Sequence, residues 1–223
     1  MMIFNKKIVS RLFLFTVLLL GITANARNNR DRSMEFYFVP QYIKGNTLDF
    51  RGEAKADIDS SVSFGFGFGY NFTPNWNLGL LFSYAEADYM GKYYDSAAGE
   101  YIANRHTLYT SSINIVGTYY FLDGNFSPFV SGHIGYTHTN TGIGNGEIYV
   151  GCPPFYDPYW GPCLPYEGAY TDNSMNYGAF VGVRYDFDNR FFIKGSVGTN
   201  IIDYNSQNRA DFTVYQITLG STF

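Results

Sequence analysis

From residue 34 to the end of the chain, hydrophobic and polar positions alternate with a period of two. The alternation comes in segments of about ten to fourteen residues, a pattern typical of β-strands that have one apolar face. It predicts eight strands, over residues 34–44, 60–72, 76–87, 107–121, 126–139, 174–187, 191–203 and 212–223.

The connections between the predicted strands alternate in length. Three are short and rich in Pro, Gly, Asn and Asp, at 73–75, 122–125 and 188–190. The other four are longer and polar, at 45–59, 88–106, 140–173 and 204–211. Outer-membrane barrels have short turns in the periplasm and long loops outside the cell. We therefore predict an all-β fold, an eight-stranded antiparallel up-and-down transmembrane β-barrel over residues 34–223.

The two faces of the predicted strands indicate which solvent each face meets. In the second strand one face carries Val62, Phe64, Phe66, Phe68, Tyr70 and Phe72, and the other Ser61, Ser63, Gly65, Gly67, Gly69 and Asn71. Glycine and small polar residues suit a narrow lumen, so we expect the apolar face to contact lipid. In the first strand, Pro40 has no N–H and so removes one hydrogen bond between strands. A closed barrel has no free edge at which this loss would be harmless.

The first residues have the order of a secretory signal peptide. Lys6, Lys7 and Arg11 precede an apolar run over 12–22, which Ala24 and Ala26 follow. That run is shorter than the roughly 20 residues of a membrane-spanning helix. We predict cleavage after Ala26, a short periplasmic tail over 27–33, and then the barrel.

Charge and cysteine content limit the classes of function that the chain could have. The signal peptide holds three of the 15 basic residues and no acidic ones, which leaves 12 basic against 19 acidic residues and a formal charge of −7. This balance argues against nucleic-acid binding. Cys152 and Cys163 pass through an oxidising compartment, so we predict a disulfide. Two cysteines without a nearby histidine make a poor metal site, and no cofactor is expected.

Several segments resemble the small outer-membrane β-barrel proteins, the group that includes OmpW-like, OmpX-like and opacity-type proteins. These segments are the last strand ending in Phe223, the stretch 76–80, the hairpin 119–130, and the Cys152–Cys163 stretch, which is similar to a Cys-bracketed Trp/Pro loop of some members. The resemblance implies an outer-membrane location and contact with lipid and lipopolysaccharide. It also implies that the assembly machinery of the outer membrane reads Phe223.

The residues predicted to face the lumen include a polar set. Its members are Asn77, Asn114, His133, Arg184, Asp186, Lys194, Asn200 and Gln216, to which Glu35 and Gln41 can be added. They could line a conduit for ions or a small solute. We favour a plug of ion pairs and hydrogen bonds, because eight strands leave room for little more than side chains.

Two other functions stay open. Leu81, Val116 and Phe180 are predicted to face inward and could form an apolar patch for a hydrophobic molecule that leaves sideways into the membrane, as the resemblance to OmpW-like proteins suggests. Ordinary packing is the alternative. A lipid A-modifying enzyme would need a Ser, His and acid together. Arg105-His106-Thr107 lacks the serine of the deacylase pattern, so we predict no enzymatic activity.

The connection 140–173 is the most distinctive segment. Phe155, Tyr156, Tyr159 and Trp160 lie between the two cysteines, among several prolines. Restrained aromatic rings lose little entropy on binding, which suits recognition of an extracellular ligand. A lid over the barrel mouth is the alternative. Aspartates such as Asp57, Asp59 and Asp88 could bind divalent cations or simply be solvated.

Overall fold

The structure is a computed structural model and describes residues 30–49, 55–95, 100–151, 164–187, 190–204 and 208–223. Those residues form ten strands: β1 (Ser33–Ile43), β2 (Asn46–Asp49), β3 (Lys55–Ile58), β4 (Ser61–Asn71), β5 (Trp76–Asp95), β6 (Glu100–Tyr120), β7 (Phe126–Gly151), β8 (Leu164–Phe187), β9 (Phe191–Tyr204) and β10 (Asn208–Thr222). Within the described ranges, no helix has the length and apolar character to cross a membrane.

The sheet closes on itself. β1 pairs with both β4 and β10, the pairing continues through neighbouring strands in both directions, and β5 pairs with β6. Eight strands, β1 and β4 to β10, therefore form the wall of a barrel, and every pairing between them is antiparallel. The predicted eight-stranded up-and-down β-barrel is confirmed.

The register of the pairs sets the width of the barrel. Following paired residues once around the wall leads from Ser33 to Ile43 on the same strand, a shift of ten residues. The partners in between are Asn71, Asn77, Thr118, Ser131, Phe180, Gly198 and Val214. Eight tilted strands with such a stagger enclose an interior that side chains can fill.

The two faces of the wall point as the alternation predicts. Phe66, Val181 and Ile217 are 50%, 58% and 54% exposed, so they lie on the outside of the barrel, not in a core. Their neighbours along the strands, such as Ser63 and Arg184, are buried inside. An apolar outer face of this extent is stable only when lipid covers it.

The strands reach further than the alternation indicates. The predicted connections 88–106 and 140–173 contain the outer parts of β5, β6, β7 and β8, and the connection 45–59 contains the β2–β3 hairpin. Backbone pairing continues past the apolar band of the outer face, and a segment beyond such a band needs no apolar outward side chains. The alternation of apolar and polar residues therefore ends before the backbone hydrogen bonds between the strands do. We call these parts the outer hairpins.

Pro40 interrupts the seam between β1 and β10. Even-numbered residues of β1 point their backbone groups at β10, as Met34 and Lys44 do through bonds to Phe223 and Thr213. By the same register Pro40 faces Ile217, and the paired residues skip from Phe38 to Gln41. Since proline has no N–H, the Ile217 carbonyl has no ladder donor at this point.

Candidate functional site

The lumen is filled at the end that carries the short turns, here called the turn end. Glu35 on β1 is 1% exposed there. Its Oε1 accepts hydrogen bonds from Arg184 Nη1 at 2.5 Å and Asn71 Nδ2 at 2.9 Å. Its Oε2 accepts them from Asn77 Nδ2 at 3.4 Å and Lys194 Nζ at 3.5 Å. These donors lie on β8, β4, β5 and β9, so one carboxylate connects five strands.

Arg184 is the second centre of this cluster and has no exposed surface. Its Nε and Nη2 donate to the Asp186 carboxylate at 2.8 and 2.7 Å, and its Nη1 also donates to the Tyr120 hydroxyl at 3.0 Å. The guanidinium carbon lies 4.0 Å from the centroid of the Phe192 ring. A buried guanidinium is tolerated only with such pairing, and this site provides it on every side.

Lys194, on β9, adds a further positive charge to this cluster. Besides Glu35, its ammonium group lies near three aromatic rings, 4.8 Å from the centroid of Phe192, 5.3 Å from that of Tyr120 and 5.6 Å from that of Tyr37. Ring faces attract cations, and more strongly where water is excluded.

Arg30 belongs to the same cluster although it precedes β1. It is 1% exposed, and its Nη2 donates to the carbonyls of Leu122 and Gly124 at 2.9 and 3.3 Å and to Ser127 Oγ at 2.8 Å. Its guanidinium carbon lies 4.6 Å from the Tyr120 ring centroid. Sequence alternation could not indicate this role, because the alternation that identifies lumen residues begins only at the strand. We call the whole cluster the ionic plug. Its members are Arg30, Glu35, Asn71, Asn77, Tyr120, Arg184, Asp186 and Lys194.

The structure divides the predicted lumen set into two groups. Asn77, Arg184, Asp186 and Lys194 meet in the ionic plug, while Asn114, His133, Asn200 and Gln216 lie nearer the loop end. In this second group His133 Nε2 lies 3.1 Å from Asn200 Oδ1, and Gln216 Oε1 accepts from Ser196 Oγ at 3.3 Å.

A glycine makes room for His133. An added Cβ at Gly178 would lie 2.6 Å from Cε1 of the imidazole and would overlap the Thr199 carbonyl oxygen. The inward glycines of the strands therefore let larger side chains cross the narrow lumen.

Two small cavities lie beside these polar groups. Their volumes are about 60 and 70 Å³, and both are lined in part by Gln41 and Asn200. Leu81, Val116 and Phe180, the three residues of the predicted apolar patch, line the cavity of about 70 Å³ together. A volume of this size holds a handful of water molecules at roughly 10–15 Å³ each.

Basic residues pair with the acidic side chains of the outer hairpins. Arg105 Nη2 lies 3.0 Å from Asp59 Oδ2 and 3.3 Å from Asp88 Oδ2, and Lys92 Nζ lies 2.7 Å from Asp57 Oδ2. The hydrogen bond from Lys92 holds the pKa of Asp57 below its usual value. In the described ranges, no three His, Cys, Asp or Glu side chains are grouped so that they could hold a metal ion. Each of these three aspartates therefore has a basic partner.

Several predicted site residues lie outside the described residues. They are Cys152 and Cys163 and the ring-bearing residues between them, Phe155, Tyr156, Tyr159 and Trp160. Phe223, by contrast, is described. Its backbone N–H donates to Met34 O at 2.9 Å, and its side chain is 75% exposed on the outer face at the turn end.

The profile of one protein family matches this chain over residues 15–223, and its description is "Outer membrane protein beta-barrel domain". The chain belongs to this family. It is therefore an outer-membrane protein. The predicted family and location are confirmed. No curated protein matches the chain in sequence.

One solved structure agrees with the family assignment at the level of fold, and two others have a lower similarity. The outer membrane protein OprG from Pseudomonas aeruginosa is 13% identical, with a TM-score of 0.54, and the match covers 89% of this chain and 99% of OprG. The N-terminal β-barrel domain of Pseudomonas aeruginosa OprF is 16% identical, with a TM-score of 0.44 and coverage of 86% and 98%. Yersinia pestis Ail, solved with the heparin analogue sucrose octasulfate, is 9% identical, with a TM-score of 0.48 and coverage of 86% and 99%.

Proposed function

We propose that this protein is a closed, non-conducting barrel that holds its outer hairpins at the cell surface for interaction with extracellular ligands. In this proposal the lumen residues serve to fill the barrel, and the activity belongs to the outward segments. Lipid and lipopolysaccharide contact the aromatic rings of the outer face.

The observation that carries the proposal is the coordination of Glu35. Its carboxylate is bonded from β4, β5, β8 and β9, and Arg184 extends the network to Tyr120 on β6. An ion crossing the lumen would have to break several buried, charge-assisted hydrogen bonds at once. The short bonds among these, from Arg184 and Asn71 to Glu35, are stronger than ordinary hydrogen bonds, so the periplasmic half of the lumen favours closure over conduction.

Current measurements in planar bilayers test the closed barrel. We expect purified, refolded wild-type protein to give no steady current above the bare bilayer. A sustained current that depends on the solute would contradict the proposal and support a conduit.

Surface display is tested by labelling of intact cells. A short epitope inserted between β5 and β6, at residues 96–99, should bind an impermeant antibody on whole cells. The same epitope in the turn 122–125 should be labelled only after the outer membrane is permeabilised. Labelling of both, or of the turn alone, would overturn the proposed display of the outer hairpins. The segment 152–163, with Tyr159 and Trp160, is the part of this surface that we propose to carry recognition.

A second candidate function is passage of a small hydrophobic molecule. The observation that favours it is the shared cavity of Leu81, Val116 and Phe180, next to the interrupted β1–β10 seam. Uptake of naphthalene, followed by fluorescence in cells with and without the protein, tests this candidate. Val116→Trp would fill the cavity and reduce uptake, whereas Ile115→Trp, on the lipid face of the same strand, would not. Equal uptake with and without the protein would remove this candidate.

We also propose that the protein has no enzymatic role. His138 Nδ1 lies 2.8 Å from Asn173 Oδ1, and the His106 ring packs 5.8 Å from that of Tyr89, so both imidazoles have structural contacts. Mass spectrometry of lipid A from cells with and without the protein tests this. An unchanged spectrum is expected, and a changed acyl pattern would contradict it.

A further inference from the structure

We propose that Arg30 is a periplasmic latch, a side chain that seals the turn end of the lumen from a segment outside the barrel wall. This inference rests on the closed barrel proposed above and identifies the part of the closure that can be released. The ionic plug then has two layers, one fixed on wall strands and one carried by the residues before β1.

The first observation is the path of the Arg30 side chain. Its backbone joins β1 through Ser33, whose Oγ donates to the Arg30 carbonyl at 2.9 Å. Its guanidinium bonds to Ser127 at the start of β7 and to the β6–β7 turn. β7 is four strands away from β1 in either direction around the wall. Arg30 therefore reaches across the mouth of the barrel to the opposite side.

The second observation is what lies beneath this side chain. Tyr120 has no exposed surface, and its ring lies directly against the Arg30 guanidinium. The carboxylate of Asp186 lies 3.8 Å from Arg30 Nε. Arg30 thus separates the inner members of the ionic plug from the periplasm.

The third observation concerns the backbone. Residues 30–32 form a turn, and the wall pairing of β1 begins at Ser33 and Met34. Arg32 has a φ of 52°, in the left-handed region that non-glycine residues seldom occupy, and this turns the chain back over the mouth. Withdrawal of Arg30 would relieve this conformation and break no ladder hydrogen bond.

The consequence is a closure that can open without unfolding the barrel. The wall-borne ion pair of Glu35 and Arg184 stays in place when the latch is withdrawn. Water then reaches Tyr120 and Asp186 from the periplasm but does not pass Lys194 and Tyr37.

Hydroxyl-radical footprinting with mass spectrometry tests the latch, with the refolded barrel in lipid vesicles. In the wild type, oxidation of Tyr120 and Tyr37 should be low. Arg30→Ala should raise Tyr120 oxidation several-fold and leave Tyr37 protected. Asp31→Asn, which changes an exposed side chain of the same turn, is the matched control and should leave both tyrosines protected. Arg30→Gln keeps hydrogen-bond donors for the turn carbonyls and should give an intermediate Tyr120 signal.

Each outcome decides the proposal. Protection of Tyr120 in a folded Arg30→Ala barrel would overturn the latch, and so would equal exposure of Tyr37, because the plug would then have collapsed as a whole. Failure of both Arg30 variants to fold would also overturn it, since the latch must be separable from the wall. A wild type that conducts in planar bilayers would refute the closed barrel itself. A silent wild type with Tyr120 protected in the variant would refute the latch alone.

Discussion

Arg184 and Glu35 are 149 residues apart in the sequence and 2.5 Å apart across the lumen, and neither side chain is exposed to solvent. Each side chain is fixed on a wall strand, so the contact can form only when β8 and β1 face each other in a closed barrel. The ion pair is therefore a property of the finished barrel. It makes the correct register of distant strands more stable than alternatives that would leave a charge unpaired in the lumen.

Removal of the Glu35 charge should destabilise the barrel strongly. Glu35→Gln keeps the shape of the side chain, leaves Arg184 with Asp186 as its one described carboxylate partner, and removes the described carboxylate partner of Lys194. Loss of one partner from a buried pair costs about 3–5 kcal/mol. We expect the free energy of unfolding to fall by about that amount, measured by urea titration in lipid vesicles with the gel mobility shift as the readout of folding.

The matched control is Asp123→Asn. Asp123 is an exposed acid in the β6–β7 turn, and its loss should change the free energy of unfolding by less than about 0.5 kcal/mol. Equal stability of Glu35→Gln and the wild type would mean that the ionic plug contributes nothing to stability.

Pro40→Val should stabilise the barrel by restoring the donor that the Ile217 carbonyl lacks. An unsatisfied buried backbone group costs about 1–3 kcal/mol, and the loss of proline's restraint on the unfolded chain offsets about 0.4–1 kcal/mol of the gain. We expect a net increase of about 1 kcal/mol in the free energy of unfolding, with slower amide exchange along the β1–β10 seam. Pro128→Val, at the end of the β6–β7 ladder near the water interface, should change much less. A destabilised Pro40→Val barrel would show that the interrupted seam is needed for packing.

The wall of the barrel was predictable because two different solvents act on its two faces. Phe66 must contact acyl chains and Ser63 must fit a crowded lumen, and these two requirements produce an alternation with a period of two in the sequence. The same alternation identified Asn77, Arg184, Asp186 and Lys194 as inward residues. It could not show that these four meet while Asn114 and His133 stay apart, because pairing across the lumen depends on the register shift of ten residues.

The role of Arg30 and the pairing of the outer hairpins could not be predicted from the sequence, for a related physical reason. Arg30 acts from a turn, where side chains follow no alternation. The outer parts of β5 to β8 have water on their outward face, so their composition resembles that of loops even though their backbones pair. Both features become visible only when distant segments are brought together.

The contact between Asp57 and Lys92 should depend on pH. The hydrogen bond from Lys92, followed by that from Thr47, lowers the pKa of Asp57. A carboxyl whose pKa is lower in the folded protein stabilises the fold above its ordinary pKa of about 3.9, and this contribution is lost as the pH falls through the lowered value. We expect a carboxyl ¹³C titration of Asp57 with its midpoint below the ordinary value.

Lys92→Met should return the Asp57 midpoint towards its ordinary value, while Lys55→Met should shift it less, because Lys55 contributes least among the named causes. The same midpoint in the wild type and in Lys92→Met would show that the contact does not persist in solution.

Phe223→Ala should impair assembly far more than stability. The Phe223 ring is 75% exposed, so it adds little packing, and the bonds between its backbone and Met34 do not depend on the side chain. If the assembly machinery reads the terminal ring, the variant should refold in vitro with nearly wild-type stability. In cells it should reach the outer membrane in much smaller amounts, measured by membrane fractionation and the gel mobility shift. Phe121→Ala removes a similarly exposed ring (57%) at the turn end and should assemble normally. Equal losses in the two variants would mean that the ring acts as one more aromatic anchor in the interface, with no separate role in recognition.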